Sequence, residues 1–143
     1  MKVGFTGTRQ GMTDDQYATF IKVVDRLYTG LDVREWHDGD CVGADDEAHN
    51  YVENFPGVYV HVHPSNLFRQ RAYNSSDFEH AEMPPLTRNE IIVDSVDVMI
   101  ATPSGETEIM RGSGTWATIR YARKTRTHLI IIWPNGEFIE EVW

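Results

Sequence analysis

Along this chain short apolar runs alternate with stretches whose apolar residues recur at helical spacing, and that alternation predicts an α/β fold. Lys2–Thr6 reads as a first strand, stopped by Gly7. Tyr17, Phe20, Ile21, Val24, Leu27 and Tyr28 then mark one face of a helix that ends at Gly30. A capping box opens it: Thr13 caps and Gln16 returns from the third helical position. Val33–His37 is a second strand. After Gly39, Gly43 and Ala44 a second helix opens, and Asp45, Asp46 and Glu47 in its first turn suit the helix dipole. Val58–His63 is a third strand. Pro64–Pro85 is irregular, with one short helix expected near Leu67–Tyr73 and a polar tip, Asp77–Glu82, expected to be a mobile lid. Thr87-Arg88-Asn89-Glu90 is a second capping box and predicts a helix through Asp94, before a fourth strand over Val96–Ala101. Ser113 caps a helix to Lys124, and His128–Trp133 is a fifth strand. The Asn135-Gly136 turn then predicts an antiparallel edge strand over Phe138–Trp143.

Strands alternating with helices imply a mainly parallel sheet with right-handed crossovers. The apolar strands do not alternate with polar residues, as expected when both sheet faces are buried. The expected architecture is a three-layer Rossmann-like domain of strand order 3-2-1-4-5. Its 143 residues fit a single domain over 1–143 with enough core to need no disulfide or structural metal. In such sheets ligands bind outside the carboxyl ends of the strands at the switch point, here between the first and fourth strands.

Composition narrows the partners. The lone cysteine, Cys41, excludes an intramolecular disulfide and suits a reducing compartment. No targeting segment is read at the N-terminus, and the longest apolar run, Leu129–Trp133, is too short for a membrane, so a cytoplasmic protein without a membrane partner is expected. The formal net charge of −9 argues against nucleic acid as a partner. Ile109–Gly136 nevertheless holds no acidic residue, while Arg111, Arg120, Arg123, Lys124 and Arg126 lie there. This is either a local site for a small anion or a basic helix face.

Four segments follow strand ends and would meet at the carboxyl edge. In Gly4-Phe5-Thr6-Gly7-Thr8-Arg9, Gly7 permits a tight turn, Thr8 offers a hydroxyl and Arg9 a phosphate-neutralising guanidinium; a plain strand-to-helix turn is the alternative. In Asp38–Asp45, Gly39, Gly43 and Ala44 place backbone donors at a helix start. Asp40 or Asp45 there offers a carboxylate to a ribose hydroxyl, unless Asp45 only serves the dipole. The third group is Arg69, Arg71, Arg88 and Asn89. Arg88 opposes the dipole at a helix start, which favours a role in binding. In the fourth, Gly112-Ser113-Gly114-Thr115 presents amides and two hydroxyls to an anion. Trp116 either stacks on a base or packs on the sheet, and its spacing with Ile119 and Ala122 favours packing.

Weaker candidates remain. His61 and His63 face the same way on one strand, but no Cys or Asp pair completes a metal site, so no metal is assigned. Glu79, His80 and Glu82 read as a solvated loop tip. Cys41 lies close to a helix start, where a thiolate is favoured, without an identifiable partner. Neither a dinucleotide fingerprint nor a Walker A loop is present, and no cofactor is assigned.

Together, Thr6-Gly7-Thr8-Arg9, Gly39 through Asp45 with Ala48, Arg88-Asn89 through Ala101, and Gly112-Ser113-Gly114-Thr115 resemble the motif series of the SLOG superfamily. That group includes LOG-type phosphoribohydrolases, DprA proteins and YpsA-like proteins. The resemblance covers most of the chain and is closest to the small YpsA-like branch, many of whose members are phage-encoded. It implies a Rossmann-like fold, a homo-oligomer, and a site for a nucleotide, a nucleotide sugar or an ADP-ribose-like ligand.

The LOG-type enzymes carry a catalytic Glu three residues after the Thr of the last motif, and here that position is Thr118. Their loop-opening Pro-Gly is replaced by Met110-Arg111. Cleavage of an N-glycosidic bond needs a carboxylate to stabilise an oxocarbenium-like state or to activate water. The only substitutes in sight are Glu106, Glu108, Asp45 and Asp40. The expectation is therefore a non-catalytic sensor or sequestering protein for a nucleotide-derived molecule, with phage counter-defence as one setting. The alternative is an N-glycosidase acting on nucleoside 5′-monophosphates.

Overall fold

The computed structural model of the protein describes residues 1–30 and 32–143. Seven strands form one sheet: β1 (Lys2–Gly7), β2 (Glu35–Asp38), β3 (Tyr59–Val62), β4 (Phe78–Glu79), β5 (Val98–Thr102), β6 (His128–Ile132) and β7 (Phe138–Glu141). Four helices connect them: α1 (Asp14–Gly30), α2 (Ala44–Val52), α3 (Pro85–Ser95) and α4 (Gly114–Lys124). The sheet order is β4-β3-β2-β1-β5-β6-β7, parallel except for the antiparallel β6–β7 pair. The predicted order and edge hairpin are thus present, with β4 added outside β3.

Each sheet face has its own core. Phe20, Val23, Val24 and Leu27 of α1, with Ala44, Ala48 and Val52 of α2, pack on Val3, Phe5, Trp36, Ile100 and Ile130. Ile92 and Val93 of α3, with Trp116, Ile119 and Ala122 of α4, pack on Met99, Ala101, Leu129 and Ile131. Every residue of β5 is buried, because successive side chains enter opposite cores. Gly4 lies under α3, where a Cβ would come within 2.5 Å of the Met99 sulfur.

The first capping box forms as expected. The Gln16 amide donates to Thr13 Oγ1 (3.0 Å) and the Thr13 amide to Gln16 Oε1 (3.2 Å). The second does not: α3 already begins at Pro85, with Pro84 at the cap, so Thr87 lies inside the helix. A proline suits the first helical position, where its missing N–H costs no bond. The Asp77–Glu82 tip is not a lid either. The amides of Asp77 and His80 donate to the carbonyls of Val60 and Val62, which stitches β4 to the edge of β3. Only a 3₁₀ turn over Phe68–Gln70 forms where a short helix was expected. No helix among the described residues is long and apolar enough to cross a membrane.

Candidate functional site

Parallel strands deliver their carboxyl ends to one edge, and the loops that leave β1, β2 and β5 meet there, at the switch point between β1 and β5. A cleft of about 690 Å³ opens at this edge, within the roughly 300–1,000 Å³ usual for small-molecule sites. Gly7, Thr8 and Arg9, Gly112–Thr115, Arg88, Asn89 and Asp45 line it. Leu67, Leu86 and Ile109 supply apolar surface.

Arg9 is exposed and enters no ion pair among the described residues. Ser113 caps α4, its Oγ accepting from the Trp116 amide at 3.2 Å. The Gly114 and Thr115 amides belong to the first turn, where N–H groups lack carbonyl partners within the helix. Gly112 turns the chain into that cap at φ 82°. The cleft therefore offers an exposed positive charge together with oriented backbone donors.

Arg88 is buried and largely committed to the protein. Its Nη1 donates to the carbonyls of Gly39 (2.7 Å) and His63 (3.0 Å), and its Nε donates to Asn89 Oδ1 (2.7 Å). It ties the ends of β2 and β3 to α3, and that explains a cation at a helix start better than a ligand does. Asp45 accepts from the amides of Gly39 (3.1 Å) and Cys41 (3.3 Å). Burial and the nearby Asp38 carboxylate raise its pKa, against Arg88 and the two amides. Burial and Asp45 likewise push the Cys41 thiol up to about 11, with Arg88 opposing, so the thiolate expected at this helix start is disfavoured.

Several expected binding residues do not reach the cleft. Asp40 is fully buried at φ 53°; its carboxylate binds the Asn74 amide and Arg71. Arg71 pairs with Asp40 and Glu79 at 2.9 Å and stacks over Tyr73. Arg69 is exposed outside the cleft, and Gly39 is enclosed by Arg88 and Asp45. Gly43 and Ala44 serve the loops instead: the Ala44 amide donates to the Thr8 carbonyl (2.9 Å), and a Cβ on Gly43, at φ 91°, would meet the Arg9 carbonyl at 2.3 Å. Trp116 is 2% exposed, in the α4 core, stacked on Trp133. Among the candidate catalytic carboxylates, Glu106 and Glu108 do not line the cleft, and Glu108 pairs with Arg120 at 3.5 Å. Thr118 is buried, its hydroxyl donating to the Gly114 carbonyl at 2.8 Å.

A second constellation, on the far half of the sheet, was only glimpsed in the sequence. Glu35 and His37 on β2, His61 on β3, and His63 and His80 in the positions just after β3 and β4 cluster together. His37 and His61 pair directly across β2 and β3, and His63 follows two residues on. Burial drives the His37 imidazole down to about 4, against the pull of Glu35, and burial with its histidine neighbours drives His63 to about 3. The missing signal was the β2–β3 register, which a linear sequence does not display.

No family model matches the chain, and no curated protein matches it. Similar solved structures include the molybdenum cofactor binding protein from the phototrophic bacterium Rippkaea orientalis. It is 19% identical, with a TM-score of 0.69 over 99% of this chain and 86% of that one. DNA processing protein A from Helicobacter pylori is 20% identical, with a TM-score of 0.57 over 92% of this chain. This chain spans 64% of that protein, just under two thirds. These are likenesses of fold alone, consistent with a Rossmann-like α/β architecture. The second corrects one expectation, since that protein of the same fold binds single-stranded DNA. The acidic balance of the whole chain therefore does not set nucleic acid aside as a partner. Net charge sums over an entire surface, whereas a partner meets one face of it.

Proposed function

We propose that the cleft binds a nucleotide-derived small molecule and holds it without cleaving it. The observation that carries this reading is that Arg9 and the start of α4 line one cleft together with the apolar Leu67, Leu86 and Ile109. A phosphate fits between a guanidinium and oriented amides, and the apolar wall suits a base. Nucleotide sugars and cyclic ADP-ribose-like signals share that chemistry. The closest branch on sequence motifs is the YpsA-like one, and a phage-encoded, cytoplasmic member would sequester such a signal in counter-defence. Absence of cleavage follows from the carboxylates. Thr118 stands in the catalytic Glu position with its hydroxyl already bonded, and Asp45, the one carboxylate lining the cleft, is held by two backbone amides.

The test incubates purified protein with a mixture of nucleotides, nucleotide sugars and cyclic nucleotides, then identifies the retained species by mass spectrometry after heat release. One intact species, retained by the wild type and at least tenfold less by Arg9→Ala, supports the reading. Free base with a sugar phosphate would establish a glycosidase instead. Retention of single-stranded oligonucleotides alone, or no retention, would overturn it.

A further inference from the structure

We propose that His37, His63 and His80 form a binding site for a divalent first-row transition metal, with zinc as the best-suited ion, on the sheet face opposite α1 and α2. One ring nitrogen from each lies within 4.8 Å of the other two. Four of the protein's six histidines gather here, since His61 stands 2.9 Å from His80 through facing ring nitrogens. Clustered imidazole without thiolate is a donor set that zinc and its neighbours accept and that calcium and magnesium do not.

The hydrogen bonds already hold these rings as ligands are held. Glu35 Oε1 lies 2.9 Å from His37 Nε2. A carboxylate only accepts, so that nitrogen carries the proton and Nδ1 is left with a free lone pair. His37 Nδ1 faces His63 Nε2 at 2.8 Å, so a proton of His63 lies between the two nitrogens. A metal would take that proton's place, and the proton would move to His63 Nδ1 in a tautomer change that keeps the ring neutral. The carboxylate behind His37 is the outer partner that commonly orients a metal-bound imidazole.

Closing the site requires modest movement. Tetrahedral zinc with Zn–N of about 2.0–2.1 Å needs neighbouring nitrogens about 3.3 Å apart, so His37 and His63 separate by about half an ångström. His80 now stacks flat on His63, with ring centroids 4.0 Å apart and planes 6° from parallel. A metal lies in the plane of each ligand ring, so His80 turns out of that stack. It is half-buried just beyond β4, whereas His37 on β2 and His63 just after β3 are 3% and 2% exposed. His61, 2.9 Å from His80, is a candidate for a fourth position.

Full-length protein stripped with chelator and titrated with cobalt(II) reads the site directly. The expected result is a saturable one-to-one complex with the visible absorption of tetrahedral cobalt, displaced by zinc and untouched by magnesium. His80→Gln, outside the strands, should weaken cobalt and zinc at least tenfold, as should Glu35→Gln through His37. His63→Asn should abolish binding if it folds, and His80→Gln carries the test if it does not. His128→Asn, on β6 in the far half of the sheet, should leave binding unchanged. Absence of saturable cobalt or zinc binding below millimolar concentration overturns the proposal. So does wild-type affinity in His80→Gln.

Discussion

The cleft at the β1–β5 edge and the histidine face of β2–β3–β4 lie on one sheet but are made of different material. The cleft draws on backbone: helix-start amides, the positive-φ turn at Gly112, and the Arg9 loop that Gly43 lets approach closely. The histidine face is all side chain, brought together by the register of strands distant in sequence. The two also answer oppositely to protons. His37 and His63 are depressed below their ordinary values, so they resist charging; Asp45 in the cleft is raised, so it resists ionising. A protein can thus carry one region that acid disrupts and another that acid relieves.

The largest expected effect tests that opposition. Because the unfolded histidines titrate near 6.5 and the folded ones near 4 and 3, the unfolded state binds more protons across that interval. Stability of metal-free protein should hold above pH 6.5 and fall as pH drops towards 4. At about 1.4 kcal/mol per pKa unit the loss is on the order of 3 kcal/mol or more. Urea midpoints against pH, taken in Asp45→Asn so that the opposing carboxylate does not titrate, check this, and a flat profile there would remove the contrast between the regions.

Gly43→Ala strikes the cleft's backbone instead. A Cβ 2.3 Å from the Arg9 carbonyl, at positive φ, should cost about 2–4 kcal/mol in denaturant unfolding at any pH. A smaller effect is expected for Asp45→Asn. Asp45's raised pKa means its ionisation costs stability once pH exceeds the unfolded carboxylate value. The lost hydrogen bonds set a constant offset, and beyond it the variant should gain on wild type as pH climbs from 4 to 8. A difference that shrinks with pH would mean that Arg88 outweighs burial. Smallest in stability is Arg9→Ala, within about 0.5 kcal/mol of wild type by thermal unfolding, because the exposed side chain enters no ion pair among the described residues. Its effect should appear only in ligand retention.

The same division explains what could be read from the sequence. Strand order, the hairpin and the Thr13–Gln16 box were legible because each rests on local patterns. The cleft was legible through Gly7, Arg9 and Gly112–Thr115, since glycine at a strand end or helix start marks a backbone function. Arg71 and Asp40 misled because each is chemically apt for a ligand, yet they satisfy each other across 31 residues. Pro85 outranked Thr87 as a helix start because proline fixes φ without help. His37 carried no signal until its neighbour across β3 was known.

The β4 strand is only two residues long, yet it occupies the flank of the sheet that would otherwise end at β3. An apolar strand left bare there would template pairing with other chains. β4 replaces that row of open amides with a short, charged terminus where Arg71 and Glu79 meet. At the opposite flank β7 exposes Glu140, while Glu141 pairs with Arg123. Shelf life in concentrated solution should therefore depend on a stretch of loop that looks dispensable, and trimming it would trade a colloidally quiet molecule for one that precipitates.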